Sequence, residues 1–420
     1  MKRSFGKRGE LALLSHFPCR SLIPSLPLQP LNHCNLSDPK SLAYQLSYWE
    51  WDTFFRDVDI VVAGSGIVGL SAALRARELA PHSRIIVLER GTLPIGASTR
   101  NAGFACFGSV SELLDDMASH PEDAVWALVE RRWKGLQRLR QRIGDTRLRY
   151  ASWGGYELFR AEEQETFEQC AEAIPAFNRQ LKEMLGINEA YRLANEQINS
   201  FGFRGVANLI CNTAEGQLHA GEMMLALMGL AREAGIEMYN GISVQSLEDD
   251  GAGVNIRSGY GWSIRSRRVI VATNGLAQQL MPSVAVRPAR NQVLITEPIP
   301  GLPVKGTFHY DRGYYYFRNV DGRLLLGGGR NLDLEGETTS EFGTTPLIRS
   351  ALVKLLKDLI LPSQPVTVSQ WWSGIMGVGG RKSPVIAPIS DNIVVAVRLG
   401  GMGVAIGMLV GEEGAELLLG

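Results

Sequence analysis

Apolar positions in this chain come in short runs, and the period of the pattern changes from run to run. Ile60–Ala63 is continuous and β-branched, which predicts a strand buried on both faces. An Ala/Leu-rich segment follows and reads as a helix. Arg84–Leu88 predicts a second parallel strand, Arg268–Ala272 a third, and Asn392–Val397 one more. Between them the pattern predicts two helices over Val110–Ile143, the second charged on one face. It then predicts strands in Leu148–Phe159, a helix over Glu162–Leu185, a short strand Gly205–Cys211 and a helix Glu222–Ala234. Ser243–Leu247 reads as a strand and Gly253–Ile264 as a hairpin. Val286–Glu297 and Tyr314–Gly328 read as strands of a mixed or antiparallel sheet, and Pro346–Ile360 as a helix. Gln370–Pro384 is dense in glycine and predicts a loop, and Val404–Leu419 predicts a last helix.

Strands that return to one sheet after a long excursion predict a nucleotide-binding domain interrupted by another domain. The expected division is 38–150, 205–285 and 371–420 in the first, and 151–204 and 286–370 in the second. Residues 1–37 are basic, contain Ser and Pro, and carry one acid, Glu10. They read as an extension outside the fold, either a transit peptide or a disordered segment. Leu42–Phe55 is rich in aromatics and reads as a short segment packed ahead of the first strand, or as a membrane-surface contact.

The first strand runs into Gly64-x-Gly66-x-x-Gly69. At this spacing Gly64 permits the tight turn, Gly66 lets backbone approach a pyrophosphate, and Gly69 lets helix pack close to strand. The helix start then offers free N–H groups and a positive dipole end. Glu89 ends the second strand about 20 residues past Gly69, where a carboxylate meets a ribose. Next comes Gly96-Ala-Ser98-Thr99-Arg100-Asn101-Ala-Gly103, a polar loop without period. Ser98 and Thr99 can cap a helix start, and Arg100 and Asn101 are donors for a phosphate or a polar ring edge.

Charge and composition narrow the classes. Formal net charge is zero, with no dense Lys/Arg tract, which argues against nucleic acid as a partner. The five cysteines are scattered and form no C-x-x-C. That argues against a disulfide framework or zinc site and predicts a reducing, cytoplasmic setting, unless the extension directs the chain to an organelle. Six His with no H-E-x-x-H pattern argue against a metal centre. No apolar run reaches transmembrane length. Alternation puts Tyr314, Tyr316 and Arg318 on one side of a strand. That face is either aromatic cross-strand packing or the lining of a substrate pocket, where phenol and guanidinium suit a carboxylate.

Four stretches in order carry a family resemblance: Gly64-x-Gly66-x-x-Gly69 with Glu89, the loop Gly96–Gly103, Val271-Ala272-Thr273-Asn274-Gly275, and Gly400-Gly401-Met402-Gly403-Val404. From about Asp57 to the C-terminus the chain resembles the FAD-dependent D-amino-acid oxidase family. That family includes glycine oxidase, sarcosine oxidase, D-amino-acid dehydrogenase and γ-glutamylputrescine oxidase, and the Arg100-Asn101 pair looks most like the last branch. The resemblance implies an α/β fold: a Rossmann-like FAD-binding domain interleaved with a mixed-sheet α+β substrate domain. It implies FAD, with Glu89 and Arg90 at the ribose, Ile67 and Val68 at the helix start, and Val244 at the adenine. Ser98, Thr99, Arg100, Asn101 and Gly103 then lie along the pyrophosphate and flavin, Ala272, Thr273 and Gly275 near the phosphates, and Gly401, Met402, Gly403 and Val404 at the flavin ring. Relatives with a covalent flavin carry a His where this chain has Arg100, or a late Cys, and no Cys follows Cys211 here. Non-covalent FAD is therefore expected. The loop before Pro384 lacks the Arg-Pro carboxylate motif of glycine oxidase.

The expected reaction is oxidation of the C–N bond of a small amine or amino acid by hydride transfer to flavin, giving an imine that hydrolyses. Oxygen or a quinone would take the electrons. Tyr314, Tyr316 or Arg318 would fix the substrate, and Arg381 or Lys382 would set positive charge near the flavin. The alternatives are an FAD dehydrogenase of a 2-hydroxy acid or polyol, a nicotinamide-linked Rossmann dehydrogenase, and a flavin-binding protein without turnover.

Overall fold

The computed structural model describes residues 44–420, so the extension predicted over residues 1–37 lies outside the described residues. Two eight-stranded sheets organise the rest. In the first, Val58–Ala63 lies between Ile85–Glu89 and Ser263–Val271, parallel to both. Glu237–Asn240 extends one side in parallel, and Ile393–Val397 the other. Val385–Ser390 closes that edge antiparallel.

The predicted hairpin strand before Ile264 and the buried strand from Arg268 are one element, Ser263–Val271. Burial alternates along its first half, which pairs with Val254–Ser258, and becomes continuous over Val269–Val271, which enter the parallel core. One strand therefore changes from a half-exposed to a doubly covered pattern along its length.

The first sheet is covered by three helices that meet through small residues. Ile67–Leu79 packs on Gly403–Leu419, and a Cβ on Gly411 would lie 2.3 Å from the Val68 carbonyl oxygen. Gly135, in Glu122–Ile143, sits equally close to the Ala405 carbonyl. This close packing sets the starts of two helices, at Ile67 and Gly403, beside one another.

The second sheet runs Val368–Val378, Arg287–Thr296, Arg323–Gly328, Tyr315–Val320, Thr307–Tyr310, Gly155–Arg160, Val206–Asn212, Tyr191–Leu193. Two of these strands, Val206–Asn212 and Val368–Val378, belong to this sheet although most of their residues fall in ranges assigned from the sequence to the nucleotide-binding domain. The second also corrects the loop expected over Gln370–Pro384, since residues 368–378 pair antiparallel with Arg287–Thr296. Its glycines mark close approach rather than a turn: a Cβ on Gly374 would lie 3.3 Å from the Arg100 Cβ.

The two faces of this sheet differ. Phe308, Phe317, Leu326, Leu294 and Tyr156 form a core with the helix Pro346–Leu355. On the other face the register lines up Val293, Gly327, Tyr316, His309 and Glu157. Tyr316, His309 and Glu157 on one face and the aromatic and leucine core on the other are the period-2 pattern at work.

Candidate active site

A cavity of about 530 Å³ lies between the carboxyl ends of the first sheet and the polar face of the second. It begins at the glycine turn. Gly64 has φ +104°, and a Cβ there would lie 2.9 Å from the Ala272 carbonyl oxygen. A Cβ on Gly69 would lie 1.8 Å from the Gly64 carbonyl oxygen, so Gly69 serves packing and does not line the cavity. Gly66, Ile67 and Val68 do line it, and the Ile67 N–H donates to Ser98 Oγ at 2.9 Å.

Glu89 is buried at the end of its strand. Its carboxylate accepts from Ser65 N and Oγ at 3.1 and 2.8 Å and from Gly91 N at 2.9 Å. Arg90 and Val244 line the same end. Ala272 and Thr273 follow, and Thr273 Oγ1 is buried without a partner. Gly275 lies beneath the Met376 carbonyl and away from the cavity.

The loop 96–103 is fixed by its own side chains. Asn101 Nδ2 donates to the carbonyls of Ala97 and Ser98 at 3.2 and 2.7 Å, and its Oδ1 accepts from Gly103 N at 2.8 Å. Arg100 donates to the carbonyls of Ile95 and Ser373 at 3.0 and 3.1 Å, with its guanidinium 4.4 Å from the Phe342 ring centre. Thr99 is exposed and outside the lining, its hydroxyl donating to the Pro94 carbonyl. Arg100, Asn101 and Gly103 line the cavity, as do Gly401, Met402, Gly403 and Val404 at the start of the last helix.

The expected substrate residues separate. Tyr316 lines the cavity with its ring laid across Gly327, where a Cβ would lie 2.6 Å from it. Burial alone pushes its hydroxyl well above the usual phenol range. Tyr314, just ahead of the strand, lines the rim and is exposed. Arg318 does not reach the cavity. It is buried beneath the loop, with Nε donating to the Ala102 carbonyl and a terminal nitrogen to the Leu218 carbonyl at 2.9 Å. Burial, only partly offset by Asp321, brings its guanidinium down to about 10, so it stays charged at neutral pH. The expected carboxylate anchor is thus a brace for the cofactor loop. Arg381 is exposed and outside the lining. Lys382 lines the mouth, and its Nζ lies 2.6 Å from Asp116 Oδ1 on the helix Val110–Ser119.

Among the lining residues that sequence reasoning missed are His309, Glu112 and Arg132. His309 is on the short strand Thr307–Tyr310, its ring 5.1 Å from Phe104, which in turn meets Tyr316 at 5.7 Å. Alternation of Thr307 and His309 against Phe308 was the available signal. Glu112 caps its own helix, accepting from Ser109 N at 3.2 Å. Burial raises its carboxyl, but His309, Lys382 and Arg132 outweigh this and hold it below the usual range. Arg132 is buried in Glu122–Ile143 and donates to the Phe107 carbonyl at 3.0 Å, while its Nε has no partner. Cys106 also lines the cavity, with a thiol pushed well up by burial and by Glu215. Among the described residues, no group of three His, Cys, Asp or Glu side chains is placed to hold a metal ion.

The family model described as FAD dependent oxidoreductase, DAO, matches residues 59–417. The chain belongs to this family and is an FAD-dependent oxidoreductase. Among its relatives is probable oxidoreductase OrdL of Haemophilus influenzae, 22% identical over 385 residues, 88% of this chain and 84% of that one. Its fold resembles iminodiacetate oxidase from Chelativorans sp. BNC1, with TM-score 0.69 and 18% identity over 86% of this chain and 95% of that one. It also resembles glycine oxidase from Geobacillus kaustophilus, with TM-score 0.68 and 20% identity over 86% and 94%. The residues present fit FAD. The Gly66 cradle has no room for a side chain, Thr273 Oγ1 is free to bond, and a carboxylate stands at one end of the cavity.

Proposed function

We propose that this protein oxidises the C–N bond of a small amine or amino acid, using FAD held non-covalently. One observation carries the choice of substrate. The part of the cavity beneath the second sheet is lined by a half-buried carboxylate, Glu112, and a buried guanidinium with a free Nε, Arg132. Opposite charges in one low-dielectric pocket suit a molecule carrying both an ammonium and a carboxylate. A hydroxy acid brings no cation to Glu112.

FAD supplies the electron-accepting ring. The chain's residues bind and orient. The helix starts at Ile67 and Gly403 offer N–H groups and positive dipole ends, Glu89 takes a ribose diol, and the loop 100–103 presents backbone toward the ring. Phe104, Tyr316 and His309 shape the wall opposite it. Non-covalent binding is supported by Arg100, which stands where relatives with a covalent flavin carry a His, and by the unreactive Cys106 thiol. Lys382 and Asp116 hold the mouth, where they limit water entry. In this reading the first sheet carries the cofactor and the second the substrate. A reducing, cytoplasmic compartment suits the free thiols of Cys106, Cys170 and Cys211.

The test is the visible spectrum of the purified protein, followed without oxygen during addition of an amine and amino-acid panel and a hydroxy-acid panel. Bleaching by an amine or amino acid is expected, and bleaching by hydroxy acids alone would overturn the reading. Readmitting air then tells an oxygen-using enzyme from one that needs a quinone. Acid precipitation is expected to release all the flavin.

A further inference from the structure

Beside the large cavity lies a second void of about 10 Å³, room for one water. Glu157, Glu215, Asn212, Tyr191 and His309 are among its walls. His309 lines the large cavity too, so its imidazole is the partition between them. Two atoms in this wall have no partner, His309 Nε2 and Asn212 Nδ2. Their side chains are only 9% and 4% exposed. Buried polar atoms left unpaired beside a void call for a partner.

The two carboxyls are held differently. Glu157 is engaged at both oxygens, by Ser109 Oγ at 3.1 Å, Ser111 Oγ and Ser111 N at 3.3 Å. Glu215 accepts from Phe107 N and Gly108 N at 2.8 and 3.2 Å, both at Oε1, which leaves Oε2 to the void.

We propose that the void holds one water and that His309 passes the proton of a bound substrate ammonium through it to Glu215. This rests on the amine reading above. The ammonium N–H bond breaks and its electron pair stays on nitrogen, leaving the neutral amine that oxidation requires. One imidazole nitrogen gains this proton while the other gives one to the water, which gives one to Glu215. One proton moves, and nothing is oxidised or reduced.

The surroundings favour this path. His309 faces Glu112 from the helix Val110–Ser119, Glu157 from Gly155–Arg160 and Tyr316 from Tyr315–Val320. Glu215 faces Glu112, Glu157, Tyr191 and Cys106. Burial holds His309 below its ordinary value against the pull of Glu112, so the ring gives up a proton as readily as it takes one near neutral pH. Burial raises Glu157 to about 7 and Glu215 to about 8, so Glu215 can take the proton only in its ionised form, which prevails above about pH 8, and the bleaching rate is expected to rise through that pH.

The experiment measures the anaerobic bleaching rate of the flavin-loaded protein against pH, with the panel amine that bleaches it. His309→Gln is expected to slow bleaching by about 100-fold. Glu215→Gln is expected to slow it by about tenfold and to move the acidic limb of the profile, with the resting flavin spectrum unchanged. Infrared difference spectra on amine binding above about pH 8, where Glu215 starts ionised, are expected to show a new protonated-carboxyl band, absent in Glu215→Gln. Unchanged rates and profiles in both variants would overturn the relay. Should His309→Gln lose its flavin, the isosteric Glu215→Gln carries the test. If no amine bleaches the flavin, the amine reading has failed; if an amine bleaches all three proteins alike, only the relay has.

Discussion

The two ends of the cavity are built on opposite principles. At the glycine-turn end the lining is largely backbone, and apart from Thr273 Oγ1 the buried polar side chains there already have partners. Glu89 is clamped by Ser65 and Gly91, Asn101 ties its own loop, and Ser98 takes the Ile67 N–H. At the sheet end polar side chains stand without partners: His309 Nε2 and Arg132 Nε. The first end is shaped to accept one invariant molecule against fixed dipoles. The second keeps bonding capacity in reserve, which is what a site that must recognise and react requires. Substitutions at the first end should therefore cost cofactor and stability, and those at the second should cost rate.

The largest effect is expected at Gly69. A methyl there would meet the Gly64 carbonyl oxygen at 1.8 Å, and backbone on both sides leaves nothing to yield. Gly69→Ala should destabilise the fold by about 3 kcal/mol or more. Purified protein should carry little flavin and melt well below wild type. A normal flavin content would break the assignment of this turn to close helix–strand packing.

Arg318→Leu comes next. It strands the carbonyls of Ala102 and Leu218, which lie under the loop that presents Gly103. Each unpaired buried acceptor costs about 1–3 kcal/mol. The comparison is sharpened here, because Arg318 comes from the substrate sheet but serves the cofactor loop. Flavin affinity and Tm should fall together, while KM for a carboxylated substrate stays unchanged in the protein that retains flavin. A raised KM with normal Tm would return Arg318 to the substrate site.

The pH dependence of stability separates the ends without any substrate. Glu157 and Glu215 have folded values raised to about 7 and about 8, above the ordinary carboxylate range. A raised folded value means that the fold prefers the neutral acid. Their contribution is complete below the unfolded value and is lost as pH rises through the folded ones. Tm should therefore decline between about pH 5 and about pH 8, and Glu215→Gln should flatten that decline. A wild-type Tm that rises across this range would contradict the buried neutral acids.

Much of the nucleotide-binding end was legible in the sequence because its chemistry is local. The spacing of Gly64, Gly66 and Gly69 and the place of Glu89 are set within one strand–turn–helix–strand unit. The sheet end was legible only in part because it is assembled by register. Tyr316 meets His309 and Gly327 across three strands, and no local pattern states that pairing. Alternation rightly set Arg318 on the face of Tyr316, but it could not show that the loop 102–103 descends onto that face further along. Gly374 and Gly377 suggested a loop, whereas their reason is the approach of Arg100 and Asn274, both remote in sequence. Glu112 and Arg132 belong to helices whose charges look like solvated faces until the sheet covers them.

The smallest effect is expected at the mouth. Lys382 reaches Asp116 across the entrance, a half-exposed ammonium meeting a buried carboxylate. Solvent screens the ammonium but not the carboxylate, so Lys382→Ala should cost about 1–2 kcal/mol and lower Tm by a few degrees at most. Flavin content should not change, since no bond from Lys382 supports the cofactor loop. The substitution removes one of the cations that hold Glu112 ionised. Less of Glu112 is then charged at a given pH, so KM for an amine should rise modestly and rise most at acidic pH, where Glu112 is nearest to taking up a proton. A change in the bleaching rate at saturating substrate, with KM unaltered, would instead put Lys382 beside the reacting atoms and break the division between a mouth that admits and a sheet face that reacts.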